Sequence, residues 1–211
     1  MSHPIRILVA DDHGIVRMGL MQVIKQLRPS AELSEVEDFK SFQSIISKEN
    51  FDLAIVDVNM PNGTLQQAIE FKKIKQPDLK ILVFSSQDEN VYALRYLQMG
   101  ADGFLNKLSS KEQINEALTS MLHKGRYISE DVKETMISNS LQGNEEVSLI
   151  GSLSDRELEI AGKLAEGLSL KDVSNQLHLH SSTVSTYKNR IFTKLNIRSV
   201  VELAALLDVY S

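Results

Sequence analysis

Four short apolar runs in the first half of the chain each lead into polar side chains, and this arrangement restricts the fold more than any other feature. The runs and the polar residues after them are Ile5–Ala10 with Asp11 and Asp12, Leu53–Val56 with Asp57, Ile81–Phe84 with Ser85, and Gly103–Leu105 with Lys107. Runs rich in Ile, Val and Leu, separated by stretches long enough for a helix, predict strands of a parallel sheet buried on both faces. Because ligands bind such sheets outside the carboxyl ends of the strands, we expect these polar residues to share one edge.

The segments between the runs carry apolar residues at helical spacing. They predict helices at 15–27, 38–48, 65–75, 89–99 and 111–124, together with a further short strand at 31–36. Asp38 is a candidate N-cap of the second helix. Five strands that alternate with five helices predict an α/β fold over residues 1–124, a doubly wound five-stranded parallel sheet.

The rest of the chain has a different character. From residue 125 to 151 the apolar periodicity weakens, and we interpret this stretch as a linker that is helical in part, at 129–140. Residues 152–211 predict four short helices, an all-α domain with a helix-turn-helix at its centre. Ser154 and Glu157 have the spacing of a capping box, and Ser169 and Ser199 are candidate N-caps of later helices.

Three carboxylates, a hydroxyl and an ammonium group would meet at the predicted edge of the sheet. Mg²⁺ or Mn²⁺ is usually held by one or two carboxylates together with water and phosphate. The expected metal ligands are Asp57, Asp12, Asp11 (directly or through water) and the backbone carbonyl of Asn59. An ionised Asp57 can then attack a phosphoryl group, while Lys107 and Ser85 bind the phosphoryl oxygens. Taken singly, each side chain also suits an N-cap or a solvated loop.

Residues 5–124, with these strand ends, resemble the receiver domain of two-component response regulators, which has the flavodoxin-like fold of CheY. The resemblance implies that Asp57 is the phosphoacceptor, that Ser85 is the switch hydroxyl, and that Phe104 takes the position of the switch aromatic residue. Core packing alone is the other interpretation of Phe104, because its ring has no hydroxyl. Receivers of this kind often have proline after the lysine, whereas Leu108 follows Lys107 here.

Segment 181–195 places apolar residues on one face and hydroxyl, amide and basic side chains on the remaining surface. This is the composition of a helix that lies in the major groove of DNA, and a solvated amphipathic helix is the alternative. Residues 152–207 resemble the helix-turn-helix of LuxR and NarL/FixJ type regulators, and the run Thr-Val-Ser-Thr-Tyr-Lys at 183–188 is similar to that of virulence and stress regulators. The candidate DNA-binding residues are Ser182, Thr183, Ser185, Thr186, Lys188, Asn189, Lys194 and Lys171.

The distribution of charge agrees with a nucleic-acid partner. The net charge is −5, yet residues 151–211 contain seven basic and seven acidic residues, and no acidic residue lies between 181 and 201. A basic segment on a neutral domain favours contact with phosphates. The chain has no Cys, which excludes disulfides and a Cys nucleophile. Because it has no signal-type start and no apolar run long enough to span a bilayer, we expect a cytoplasmic protein without membrane contact.

The resemblance implies a transcription regulator rather than an enzyme. A sensor histidine kinase would phosphorylate Asp57, and a homodimer would then bind promoter DNA at inverted or paired half-sites. The apolar stripe of the last helix suits either dimerisation or core packing. Two other functions stay open, a receiver-like interaction module that ignores phosphate and a phosphatase of the same topology. Such phosphatases carry a second Asp two residues after the nucleophile, where this chain has Asn59.

Overall fold

The computed structural model describes residues 4–134 and 153–208, and the chain divides into two compact units, Met1–Lys133 and Glu134–Ser211. In the first unit, strands and helices alternate along the chain. They are β1 (Arg6–Ala10), α1 (Gly14–Leu27), β2 (Glu32–Val36), α2 (Phe39–Ile46), β3 (Leu53–Val56), α3 (Leu65–Lys75), β4 (Lys80–Ser85), α4 (Glu89–Met99), β5 (Gly103–Asn106) and α5 (Lys111–Lys124). The strands are all parallel in the order β2-β1-β3-β4-β5, which confirms the predicted α/β fold.

The central strands are buried on both faces. Ile7 and Ile55 belong to an apolar cluster that includes Ile24 of α1 and Leu118 of α5. Residues at alternate strand positions, such as Leu8, have no exposed surface either. Since successive strand side chains point to opposite faces, helices must cover both sides of the sheet. Each large side chain buried in this way contributes about 2 kcal/mol relative to an exposed position.

The order of the strands determines where a ligand can bind. β1 pairs with β2 on one side and with β3 on the other, so the direction in which the sheet is wound reverses at β1. In open parallel sheets, the crevice at such a reversal lies outside the carboxyl ends of the strands. The residues that follow β1 and β3 therefore line the crevice.

The helices of the first unit begin close to the predicted positions, and their caps explain the boundaries. Asp38 is the N-cap of α2, as predicted, because its carboxylate accepts a hydrogen bond from the backbone N–H of Ser41 at 2.6 Å. The helix ends at Ile46, two residues before the predicted end at 48, with Ser47 as its C-cap. Such short-range differences are usual at helix ends.

Residues 125–133, which the sequence predicts as the start of a linker, are part of the first unit. Tyr127 pairs with Gly103 of β5, and its N–H donates to the carbonyl of Asp102 at 3.0 Å. A Cβ atom on Gly103 would lie 2.8 Å from the carbonyl oxygen of Tyr127, so this close approach depends on glycine. Of the helix predicted at 129–140, residues 130–134 are helical, Ser129 precedes the helix, and positions 135–140 lie outside the described residues. The limits of the linker stay a prediction.

The second unit consists of four helices in its described part: α6 (Asp155–Ala165), α7 (Leu170–Gln176), α8 (Ser181–Leu195) and α9 (Val200–Asp208). The predicted capping box is present, because Ser154 Oγ accepts from Glu157 N–H at 3.3 Å and Glu157 Oε2 accepts from Ser154 N–H at 2.7 Å. Ser169 forms a second capping box with Asp172. Helices α7 and α8 form the predicted helix-turn-helix. No helix within residues 4–134 and 153–208 has both the length and the apolar character of a membrane span.

Candidate functional site

The crevice at the ends of β1 and β3 holds a cluster of four side chains that can bind a cation. Each of these side chains has a potential ligand atom within 4.8 Å of those of the other three, and the four residues are Asp11, Asp12, His13 and Asp57. Asp11 and Asp57 are only 1% and 3% exposed, whereas Asp12 and His13 are open to solvent. The sheet brings the two buried carboxylates together, because the N–H of Asp57 donates to the carbonyl of Ala10 at 2.8 Å.

Lys107 joins the two buried carboxylates. Its Nζ lies 2.7 Å from Asp11 Oδ2 and 3.1 Å from Asp57 Oδ2. Burial raises the pKa of Asp57 above its ordinary value, the charge of Lys107 opposes that rise, and the neighbouring charge of Asp11 adds to it. Burial alone would lower the pKa of Lys107, but its contacts with Asp11 and Asp57 outweigh this effect and raise it. The site therefore holds a charged ammonium group beside a carboxylate whose ionisation is opposed by its surroundings.

The residues of the crevice suit a divalent cation. Asp11 Oδ2 is buried and forms an ion pair with Lys107. Because Lys107 supplies one positive charge to two buried carboxylates, a bound divalent cation would offset the cost of their remaining negative charge. Carboxylate oxygens are ligands that Mg²⁺ and Mn²⁺ prefer. The backbone N–H of Asn59 is near enough to the Asp57 carboxylate to lower its pKa, against the larger effect of burial. The role of the Asn59 carbonyl as a ligand stays a prediction.

His13 belongs to this cluster, although it is absent from the residues predicted for the site. Its backbone N–H donates to Asp11 Oδ1 at 2.8 Å, and its Nδ1 lies 2.6 Å from Asp12 Oδ1. Its position in the sequence, directly after two aspartates at a strand end, could have indicated that it belongs to the site. His13 therefore orients both carboxylates that follow β1.

Ser85 is the last residue of β4 and is fully buried. Its carbonyl accepts the backbone N–H of Lys107 at 2.8 Å, which places these two predicted site residues at adjacent strand ends. Its Oγ accepts a hydrogen bond from the backbone N–H of Gln87 at 3.2 Å. The Ser85 hydroxyl is thus held by the loop between β4 and α4.

Leu108 stands where receiver domains often have proline, and its backbone N–H forms a hydrogen bond in this structure. That N–H donates to Asn106 Oδ1 at 2.8 Å, a bond that proline cannot form. The Leu108 side chain is 89% exposed. Asn106 thereby fixes the turn that carries Lys107.

Phe104 is buried beneath α4 rather than exposed. Its ring stacks on Tyr96, with 6.2 Å between the ring centroids and 6° between the planes. The core-packing interpretation of Phe104 therefore describes this conformation, and its role as a switch stays a prediction.

In the second unit, α8 has the predicted division into two faces. Val184, Ile191 and Leu195 are buried. Of the candidate DNA-binding residues, the exposed ones are Ser182, Thr186, Asn189, Lys194 and Lys171, and the partly exposed ones are Thr183, Ser185 and Lys188. Arg190 is exposed on the same helix and was not among the predicted contacts, although its charge was visible in the sequence. The exposed surface of α8 is thus polar and basic.

One of the predicted DNA contacts has a structural role here. Lys194 Nζ lies 2.6 Å from Glu157 Oε2, and the Glu157 side chain is only 5% exposed. Glu157 therefore caps α6 and binds α8 at the same time. Arg156 pairs with Glu159 at 2.5 Å and also donates to the carbonyl of Leu177 at 3.0 Å. The ion pair of Lys194 with Glu157 reduces what Lys194 can offer to DNA.

We expect Glu157→Ala to destabilise the second unit by about 2 kcal/mol, since it removes a capping side chain and the partner of Lys194. Burial alone would raise the Glu157 pKa, but Lys194 and Ser154 outweigh burial and lower it. The contribution of Glu157 is therefore complete above the ordinary pKa of 4.5 and is lost as the pH falls through the lowered pKa. Hydrogen exchange of amides in α6 and α8 measures the loss. Glu159→Ala, which removes a more exposed partner of Arg156, is the matched control, and an equal loss there would contradict the prediction.

Comparison with known proteins agrees with both halves of the structure. Residues 7–119 match the family model of the response regulator receiver domain, and residues 151–207 match that of the bacterial regulatory proteins of the luxR family. The chain is 32% identical to the response regulator GacA of Pseudomonas aeruginosa, over 96% of this chain and 94% of GacA. It is 29% identical to the response regulator UvrY of Escherichia coli, over 96% of this chain and 93% of UvrY.

Solved structures show the same fold. RcsB from Salmonella enterica serovar Typhimurium, bound to the promoter rprA in the presence of the phosphomimetic BeF₃⁻, superposes with a TM-score of 0.62 at 23% identity. The alignment covers 98% of this chain and 99% of RcsB. Since the family models and GacA account for nearly the whole chain, the protein belongs to the response regulators that join a receiver domain to a luxR-family regulatory domain.

Proposed function

We propose that this response regulator accepts a phosphoryl group on Asp57 from a sensor histidine kinase and then binds promoter DNA as a homodimer. The observation that carries the proposal is the convergence of Asp11, Asp57 and Lys107 in the crevice at the carboxyl ends of the strands. A buried carboxylate beside a fixed ammonium group is suited to nucleophilic attack on a phosphoryl group, whose negative oxygens the ammonium then binds.

Asp57 is the nucleophile of the proposed reaction. One of its oxygens attacks phosphorus as the P–N bond of a phosphohistidine donor breaks, and the departing imidazole keeps the electron pair of that bond. Attack requires the ionised carboxylate, which burial disfavours and Lys107 favours. Ser85 donates a hydrogen bond to a phosphoryl oxygen, and Lys107 contacts another. A bound Mg²⁺ or Mn²⁺ would neutralise charge on the phosphoryl group. The residues that would hold the metal ion are Asp11, Asp12, Asp57 and Asn59, the last through its backbone carbonyl.

The exposed face of α8 is the proposed DNA-binding surface. Asn189 can form two hydrogen bonds with adenine, and Thr186 and Ser185 can contact base edges or phosphates. Lys188 and Lys171 would bind phosphates, as would Arg190. Solved complexes of RcsB include a promoter-bound form and two RcsB dimers on two parallel DNAs, which supports DNA as the partner of this chain. They also support a homodimer as the DNA-binding form.

Two measurements on the wild-type chain test the proposal. Incubation with acetyl phosphate and Mg²⁺ should add one phosphoryl group, detected by intact mass, and should strengthen binding to a fluorescent promoter fragment. The affinity should fall linearly with salt concentration on a double logarithmic plot, because phosphate contacts release counterions. Asn189→Ala should weaken specific binding by about 1–3 kcal/mol and leave the salt dependence nearly unchanged. A chain that takes up no phosphoryl group, or binds every promoter fragment without salt dependence, contradicts the proposal.

A further inference from the structure

The loop between β4 and α4 is held at one residue, Gln87, by three hydrogen bonds. Its backbone N–H donates to Ser85 Oγ at 3.2 Å, and its backbone carbonyl accepts from Asn106 Nδ2 at 2.9 Å. Its side-chain Oε1 accepts from the hydroxyl of Tyr96 at 2.7 Å. Gln87 therefore connects a predicted phosphoryl-binding hydroxyl with a tyrosine on α4.

Tyr96 is firmly placed to make this contact. The residue has no exposed surface, and its ring stacks with the rings of both Phe104 and Tyr92. The centroid separations are 6.2 Å to Phe104 and 6.3 Å to Tyr92, within the range of favourable aromatic pairs. Tyr96 thus joins this stack to the loop through its hydroxyl, a group that Phe104 lacks.

The position of the Ser85 hydroxyl oxygen is tied to this network. Ser85 is fully buried, and its Oγ accepts the N–H of Gln87, so the hydroxyl proton stays available to a phosphoryl oxygen while the oxygen itself is held by the loop. In the proposed phosphorylation, the phosphoryl group on Asp57 draws this hydroxyl toward it. A displacement of Ser85 strains the bond to Gln87, and Gln87 cannot follow while Tyr96 and Asn106 hold it.

We propose that Tyr96 is a positioning residue of the phosphoryl site, which acts through Gln87 to hold Ser85 in its phosphate-free position. The bond from Tyr96 to Gln87 stabilises the conformation seen here and is released when Ser85 contacts the phosphoryl group. Tyr96 thus contributes to the free energy needed to change the conformation of the loop, and the binding of the phosphoryl group must supply that free energy. This inference rests on the proposed phosphorylation of Asp57.

Tyr96→Phe tests the inference, because it removes the hydroxyl and keeps the ring stack. The probe is beryllofluoride, which stands in for a phosphoryl group, titrated in the presence of Mg²⁺ and followed by ¹⁹F NMR of the bound form. A hydrogen bond that exists only in the free state should, once removed, tighten beryllofluoride binding about threefold to tenfold. Tyr92→Phe, in the same stack, is the matched control and should stay within about twofold of wild type.

A double-mutant cycle separates action through Gln87 from a general effect on packing. Gln87→Ala keeps the backbone contacts and removes the acceptor, so it should tighten binding as Tyr96→Phe does, and the double variant should show no additional gain. The wild-type chain labelled with 3-fluorotyrosine gives a structural readout. The resonance of Tyr96, assigned by its loss in Tyr96→Phe, should shift on addition of beryllofluoride.

Each outcome bears on one proposal. Unchanged or weaker beryllofluoride binding by Tyr96→Phe, or additive effects in the cycle, would overturn the role of Tyr96. Should Tyr96→Phe not fold, Gln87→Ala decides the question by the same criterion. Wild-type chain that binds no beryllofluoride, or binds it as Asp57→Asn does, would instead refute the proposed phosphorylation site.

Discussion

Asp57→Asn is expected to abolish phosphoryl incorporation from acetyl phosphate and to raise the stability of the receiver at neutral pH. The loss of incorporation follows because an amide is not a nucleophile toward phosphorus under these conditions. The gain in stability follows because burial and the charge of Asp11 oppose ionisation of Asp57 more than Lys107 supports it. A neutral Asn of the same shape avoids that cost.

The stability gain of Asp57→Asn should depend on pH in a defined direction. In the folded state the Asp57 pKa lies above its ordinary value of 3.8. Between the ordinary pKa and the raised pKa, the folded chain therefore binds more protons than the unfolded chain. Wild-type stability therefore falls as the pH rises through this window, and the Asn variant lacks that dependence. Thermal unfolding at a series of pH values measures it, and the two proteins should converge below the ordinary pKa.

Asp78→Asn is the control for this variant, because it removes an exposed carboxylate of the same unit. It should keep full phosphoryl incorporation and show a stability close to that of wild type. Incorporation that persists in Asp57→Asn would place the phosphoacceptor elsewhere. A variant that is less stable than wild type at neutral pH would show that Lys107 overcomes the cost of burial.

Lys107→Met is expected to destabilise the receiver by about 3 kcal/mol at neutral pH, because it leaves two buried carboxylates without their cation. Lys107 lies within 3.1 Å of an oxygen of both Asp11 and Asp57, so one substitution breaks two ion pairs. Methionine keeps the length of the side chain, which limits the effect of lost packing. Phosphorylation by acetyl phosphate should slow by about 100-fold, as is typical when one charge-stabilising donor is removed from a site.

The destabilisation by Lys107→Met should shrink as the pH falls through the raised pKa of Asp57, since protonation of that carboxyl group removes uncompensated charge. Chemical denaturation at neutral and acid pH measures this change. Adding Asp57→Asn to Lys107→Met should restore part of the lost stability, whereas Lys75→Met, on the exposed surface of α3, should have little effect. A loss that is the same at every pH would mean that packing, not charge, explains the role of Lys107.

The sequence predicted the sheet well because its strands are short, apolar and buried on both faces. β1, β3 and β4 have the β-branched and aliphatic composition that such strands require, β5 has a buried Phe104-Leu105 pair, and each of the four strands ends at or just before a polar residue. β2 is less buried, and only two of its five residues, Leu33 and Val36, are apolar, so its sequence signal was weaker. The strand order β2-β1-β3-β4-β5 is that of the flavodoxin-like fold, which the resemblance to receivers implies.

Features that depend on contacts between distant residues were harder to predict. The pairing of Lys194 with Glu157 joins residues 37 positions apart, and no local pattern in α8 distinguishes this lysine from one that faces DNA. The same applies to Tyr127, whose place beside β5 depends on the missing side chain of Gly103. In the sequence, Tyr96 resembles an ordinary core residue and Gln87 an ordinary surface residue. Their link to Ser85 becomes visible only through two hydrogen bonds, from Tyr96 to Gln87 and from Gln87 to Ser85.

Asn106 has a consequence for how this site tolerates sequence change. Its amide nitrogen holds the loop after β4 through Gln87, and its amide oxygen holds the loop after β5 through Leu108. Residues 106 and 108 are therefore chemically paired, because proline at 108 would leave the Asn106 oxygen without its donor. Exchanging Leu108 for the proline common in related receivers would therefore remove one of the two contacts by which Asn106 links the loops after β4 and β5, so positions 106 and 108 are best changed together.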